Sequence, residues 1–306
     1  MSESNELRPE RAVTVVIPDL NRRAKLHEAV RSVITQTRRP LEIVIVDDGS
    51  TPAVSAADFA YSSVPVRVLH HVSTLGGAAA RNTGIQSAQT EWVAFLDSDD
   101  VWLPTRLEAQ MNALAQSRHP VDVVVSNVLR REPGSVDTPF NHRALRATDD
   151  ISRYLMVDDC ALHSSSLLIR RSTLIKVPFD EQLRKHQDWD LLLRLQAASA
   201  RVLYLHEPLA VYCAYRDGDR ISERERDVQV SLSWMQRNRG LLAPDAIAYY
   251  YAYRCLPRAF RDAPSAAVLR LIGFAARSPK ASRATLAGLQ RLWSAFIDQR
   301  SLAKRY

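Results

Sequence analysis

The chain has 306 residues, 46% of them hydrophobic and 25% charged, with a net charge of +7, enough for one large α/β domain of roughly 200 residues and an appendage. No stretch approaches the ~20 apolar residues of a membrane-spanning helix, MSESNELRPE lacks the basic and apolar regions of a signal peptide, and three scattered cysteines (Cys160, Cys213, Cys255) fit a reducing cytoplasm better than a disulfide framework or a zinc site. From Pro257 to Tyr306 ten Lys or Arg face two Asp or Glu, so +8 sits in the tail and −1 on the rest, which argues against nucleic acid as a partner of the whole surface.

Residues 1–11 read as a polar arm. Val13–Ile17 is a β-branched run, apolar on both faces as in a central parallel strand, and Pro18 closes it. Asn21 is placed to cap a helix whose Leu26, Val30, Val33 and Ile34 share one side. The second strand, Leu41–Val46, ends in Asp47-Asp48-Gly49-Ser50. After a weak helix near 56–61 and a third strand at Val66–Leu69, Gly76-Gly77 opens a helix over Ala78–Ser87 with Arg81 in its first turns. The strand Trp92–Leu96 then runs into Asp97-Ser98-Asp99-Asp100.

A helix follows from Trp102-Pro104 to about Ser117, and a strand over Val121–Val125. Residues 131–150 lack periodicity and read as a long loop of the kind often used as a lid. A short helix at Ile151–Met156, a strand at Ser164–Ile169 and a helical turn at Arg170–Ile175 come next. Asp188 opens a helix with Trp189, Leu192, Leu193 and Ala197 on its apolar side, where Asp188 and Asp190 sit at the positive end. Strands are expected at 202–205 and 209–215. Beyond Ser222 the chain turns helical, and Leu286, Leu289, Leu292, Trp293 and Phe296 lie opposite Arg283, Arg291 and Arg300. The alternation predicts an α/β fold with a mostly parallel central sheet flanked by helices: a catalytic-type domain over 1–222 and a basic helical region over 223–306.

In such sheets the chemistry sits at the carboxyl ends of the strands. Asp97 and Asp99 are two apart, so an extended backbone would point both the same way, and paired carboxylates repel unless a cation lies between them. Mg²⁺ or Mn²⁺ carrying phosphates would serve; an acidic turn capping the next helix has the same pattern. There is no G-x-G-x-x-G, Walker A, H-E-x-x-H or G-x-S-x-G sequence. Strand-end carboxylates without a glycine-rich phosphate loop suit a nucleoside diphosphate held through a metal.

The series VTVVIP, VIVDDGS, GGAAARNTGI, WVAFLDSDD and HQDWDLLLRL, in that order over about Val13–Ser222, resembles the inverting family-two glycosyltransferases, whose fold is called GT-A. The resemblance implies transfer of a sugar from a nucleoside-diphosphate sugar to a hydroxyl of a glycan or lipid-linked acceptor, as in polysaccharide biosynthesis. Asp48 and Asp47 would then meet the nucleoside, and Arg81 the base pocket or phosphates. In the DxD motif Asp97 would hold ribose or sugar hydroxyls and Asp99 the Mn²⁺ or Mg²⁺; Asp188 would be the catalytic base. Trp102, Ser165, Ser166 and His186 are candidates for the acceptor site.

Two positions depart from the family pattern. Leu20 stands where an aromatic often stacks on the base, and Tyr212-Cys213-Ala214-Tyr215 stands where a histidine is often found near the metal. A sugar-phosphate nucleotidyltransferase and a nucleotide-sugar-binding protein without transfer are the alternatives. The basic tail suits peripheral contact with an anionic membrane at its cytoplasmic face, or packing on the catalytic domain or on a second copy in a homo-oligomer.

Overall fold

The β-branched runs of the N-terminal half form the framework on which the strand-end carboxylates are mounted. In this computed structural model, residues 12–214 and 228–255 are described. They divide into two compact units, one of residues 12–148 and 160–214, the other of 149–159 and 228–255.

In the first unit, β1 (Val13–Asp19), β2 (Glu42–Asp47), β3 (Val66–His70) and β4 (Trp92–Phe95) pair in parallel, in the order β3-β2-β1-β4. Pro18 does not close β1: the strand continues to Asp19, whose carbonyl accepts from the Asp48 amide at 2.8 Å. Asn21 does not cap helix α1 (Arg23–Ile34) either. It adopts φ 56°, a conformation asparagine tolerates. Its side-chain oxygen accepts from Thr51 N at 2.8 Å and its own N–H donates to Ser50 Oγ at 2.9 Å, clasping the loop after β2.

Beyond β4 the sheet becomes mixed, because one strand enters it antiparallel to both of its neighbours. The order continues β8-β6-β9-β5: β8 (Leu167–Arg170) is antiparallel to β4 and β6 (Val123–Arg131), β9 (Val202–Cys213) parallel to β6, and β5 (Val101–Trp102) antiparallel to β9. The two strands read on either side of Glu207-Pro208 are one, and a register shift opposite Ser126 and Asn127 takes up the irregularity as a bulge.

The stretch read as a loose loop after residue 131 is anchored. The short β7 (Thr138–Pro139) pairs back on β6, Arg131 pairs with Asp137 at 2.6 Å, and the Asn127 side chain donates to Asn141 O and accepts from Asn141 N, each at 3.0 Å.

One face of the sheet packs Val13, Val15, Ile17, Ile43 and Ile45 in a core with Leu26, Ala29, Val30 and Val33 of α1 and Leu107 and Met111 of α3 (Arg106–Gln116). On the other, Val44 and Val46 meet Ala80 of α2 (Gly77–Ser87), and Gly84 lies so close to Val16 that a Cβ there would overlap it. Each fully buried Val or Leu is worth about 1.5–3 kcal/mol. The outcome is a stiff sheet with the carboxyl ends of β1, β2 and β4 side by side.

In the second unit, α4 (Ile151–Met156) packs with the helix Pro244–Tyr250. Arg153 pairs with Asp245 at 3.0 Å, Ser152 Oγ accepts from Ala243 N at 2.9 Å, and Tyr154 and Trp234 are buried. The basic tail from Pro257, Tyr215 and the 222/223 boundary lie outside the described residues. Among those described, no helix is long and apolar enough to cross a membrane.

Candidate active site

The first group of side chains sits where β1 and β2 end. Asp47 accepts from the amides of Ser50 and Val54, each at 2.9 Å, and faces His70. Burial pushes its carboxyl up, but the Ser50 hydroxyl and these amides outweigh that and hold it below the usual range. Asp48 accepts from Leu75 N at 2.9 Å and Gly76 N at 2.8 Å. His71 contacts Asp48 at 2.6 Å and Thr83 of α2 at 2.9 Å. Both residues that the sequence places against a nucleoside thus also order the loops around the crevice. Asp19, to which the sequence assigned no role, is buried beside them. Neither of its oxygens has a donor in good hydrogen-bond geometry, and burial raises its carboxyl, with the Ser98 hydroxyl and Arg22 amide opposing.

The aspartates after β4 do not lie on an extended backbone. The strand stops at Phe95 and the Asp100 amide donates to the Asp97 carbonyl at 3.0 Å, so 97–100 is a turn. The carboxylates of Asp97 and Asp99 therefore diverge toward different arginines: Asp97 pairs with Arg81, and Asp99 with Arg22 Nη1 at 2.9 Å. Asp100 anchors the turn from behind, accepting from Ser165 Oγ at 2.7 Å and Cys213 N at 3.1 Å.

Arg81 joins this turn to α6 (Gln187–Ala197). Gly76, at φ 102°, bends the chain into α2, and Gly77 leaves space that a Cβ would deny to the Arg81 guanidinium 3.1 Å away. Arg81 is buried, donates from Nη1 to Gln187 Oε1 at 2.8 Å and lies over the Phe179 ring; its Nε has no partner among the described residues. Asp188 follows Gln187 in the first turn of α6 and accepts from the Trp189 amide at 2.9 Å. Burial around the carboxyl raises it to about 6; the Trp189 amide and Arg81 lower it and Asp97 raises it. Arg81, bonded to both Gln187 and Asp97, thus links the first turn of α6, which carries Asp188, to the 97–100 turn.

The acceptor-site candidates are placed differently from expectation. Trp102 is buried, its Nε1 donates to Ser165 O at 3.0 Å, and the Arg106 guanidinium covers its ring at 3.8 Å; the ring is part of the core. Ser165 and Ser166 are buried in a turn. Ser165 binds Asp100 and accepts from the Asp97 amide at 3.1 Å, and Ser166 donates to His163 O at 2.8 Å. Ser165 thus supports the 97–100 turn, while Ser166 is tied to His163 and Gln110. His186 remains beside Asp188: it precedes α6 at φ 64°, lies against Trp189 and is lowered to about 3 by burial and Lys185, so its ring is neutral near pH 7. The Tyr212-Cys213-Ala214 stretch holds no histidine, but His163 stacks on the Tyr212 ring at 4.5 Å.

Sequence reasoning missed Arg22, Asp19, His71 and Asp100. Asp19, Arg22 and Asp100 each carried a local signal, standing at or just past a strand end, whereas His71 carried none. Among the described residues no three of His, Cys, Asp and Glu gather into a metal-sized group. Asp99, its side chain 9% exposed beside Arg22, offers hard carboxylate oxygen, which fits Mg²⁺ or Mn²⁺ only if phosphates complete the ligand set.

The profile of the family described as Glycosyl transferase family 2 matches residues 14–177. The amylovoran biosynthesis glycosyltransferase AmsB of Erwinia amylovora is 26% identical over 249 residues, 79% of this chain and 82% of that one. The pre-mycofactocin glycosyltransferase of Mycobacterium tuberculosis is 35% identical over 210 residues, 66% of this chain but only 42% of that one, so this chain spans less than half of that relative. Among solved structures, S. aureus TarS 1–349 in complex with UDP-GlcNAc superposes with a TM-score of 0.64 at 16% identity, over 95% of this chain and 92% of that one. The same TarS fragment with UDP gives 0.56 at 18% identity over 82% of this chain and 72% of that one.

Proposed function

The chain belongs to glycosyl transferase family 2 and has a GT-A fold, and on that premise we propose that it moves a sugar from a nucleoside-diphosphate sugar to a hydroxyl of a glycan or lipid-linked acceptor, with inversion at the anomeric carbon. The observation that carries the reading is the convergence of Asp188 with Asp97 through Arg81. A base raised to about 6 is ionised at neutral pH yet more basic than an ordinary carboxylate. Asp188 takes the proton from the acceptor hydroxyl as that oxygen attacks. A single carboxylate base without an enzymic nucleophile implies one displacement, hence inversion. Arg81 and the Asp47-Asp48 loops hold the nucleotide, and the buried Nε of Arg81 is a donor that a phosphate would satisfy. Asp97 receives ribose or sugar hydroxyls.

Asp99 is the residue that would hold Mn²⁺ or Mg²⁺, which when bound supplies positive charge against that building on the departing diphosphate. The part of the Erwinia relative in amylovoran biosynthesis supports a glycan or lipid-linked acceptor, and TarS in complex with UDP and UDP-GlcNAc supports the donor class. The test is a thermal-shift screen of nucleotide sugars with and without Mn²⁺, followed by transfer assays on the wild type and Asp188→Asn. Donor-dependent release of nucleoside diphosphate that vanishes in the variant is expected. Release of pyrophosphate would assign a nucleotidyltransferase, and binding without turnover a sugar-nucleotide-binding protein.

A further inference from the structure

We propose that Arg22 is a resident counter-cation of Asp99 that must let go before a divalent ion is held there, so that the ion is taken up with the donor's diphosphate and not alone. This rests on the reading of Asp99 as the metal-holding carboxylate. The two arginines on the 97–99 turn are not equivalent. Arg81 is buried and pinned by Asp97, Gln187 and the Phe179 ring. Arg22 lies in the turn between β1 and α1, and its side chain is 25% exposed against 8% for Arg81, so it is the one with room to swing. Its Nη1 stands 2.9 Å from Asp99 Oδ2, inside the space a cation bound to that oxygen would occupy.

A guanidinium and a divalent ion at that separation repel strongly, so Arg22 penalises the bare metal. An arriving diphosphate reverses the balance. It brings anionic oxygens for the ion, and others to which the planar, multi-donor guanidinium can transfer. Asp99 is then released to the metal while Arg22 becomes a ligand of the donor. The residue acts as a gate on metal uptake and as a diphosphate contact.

The experiment is a titration of the full chain with Mn²⁺ alone, followed by the spin resonance of free Mn²⁺, for the wild type, Arg22→Gln, Arg22→Lys, Asp99→Asn and Arg22→Gln/Asp99→Asn. Thermal melts of each establish that the fold is kept. With the neighbouring positive charge removed, Arg22→Gln is expected to bind Mn²⁺ about tenfold more tightly than the wild type. Arg22→Lys stays close to the wild type, and the double variant loses the gain. In Mn²⁺ titrations with UDP and with pyrophosphate, Arg22→Gln weakens retention of the diphosphate.

Mn²⁺ affinity unchanged in Arg22→Gln, or a gain that persists in the double variant, overturns the proposal while leaving the metal at Asp99 intact. If Asp99→Asn does not alter diphosphate-supported Mn²⁺ binding, the metal reading itself falls, and the gate with it.

Discussion

Replacing Asp188 by asparagine should stabilise the protein while abolishing transfer. The carboxyl is raised from an ordinary 3.8 to about 6, chiefly by burial. The folded state therefore holds a proton that the unfolded chain has released between those values. The sign follows: stability is fullest below pH ~4, declines as pH rises toward ~6, and stays at the lower level above that. A shift of about two pK units corresponds to ~3 kcal/mol at 1.36 kcal/mol per unit. Because Asp188 is only half-buried overall, solvent screening reduces this to about 1–3 kcal/mol.

Asparagine is nearly isosteric and carries no charge to desolvate, so its advantage over wild type should grow from near zero at pH 4 to that value at pH 8. In melting temperature that is on the order of 5 °C. The assay is a pair of melts at several pH values alongside donor-dependent transfer, whose wild-type rate should rise with pH through ~6. A variant no more stable than wild type at pH 8, or a gap independent of pH, would refute the burial argument. Retained transfer would refute the base.

Arg81→Met removes the link between the 97–100 turn and α6 and leaves Asp97 without its guanidinium; kcat/KM should fall at least ~100-fold, with donor affinity in thermal shift falling too. Asp48→Ala frees the Leu75 and Gly76 amides and the His71 ring; hydrogen exchange at residues 75 and 76 should speed up by roughly tenfold or more, and unchanged protection would count against the anchoring role. Gly84→Ala drives a Cβ into Val16, costing about 1–3 kcal/mol, read as a lower melting temperature. Removing residues 257–306 should reduce sedimentation with anionic liposomes, as expected of a segment with a charge balance of +8; equal partitioning would dismiss membrane contact.

Much of the framework was legible because its signals are local. β1 and β2 are short β-branched runs and β4 a short apolar run ahead of aspartates, and α2 opens at Gly76-Gly77, where Gly76 takes a positive φ. The aspartates at the strand ends could be picked out for the same reason. Where their carboxylates point could not. The rule that residues two apart face the same way holds for an extended backbone, and this one leaves the strand at Phe95 and turns at 97–100, sending Asp97 to Arg81 and Asp99 to Arg22.

Likewise nothing in the neighbours of Trp102 shows that an arginine one helical turn on will cover its ring, or that Ser165, 63 residues away, will receive its indole N–H. The parallel half of the sheet was readable from strand–helix alternation, whereas the antiparallel insertion of β8 was not, since a four-residue apolar run carries no direction. The sequence alone determined which residues could do chemistry, through composition and periodicity acting over a few positions. Which of them meet, and in what state of charge, was decided by long-range packing, because burial and ion pairing depend on partners that the chain brings together only on folding.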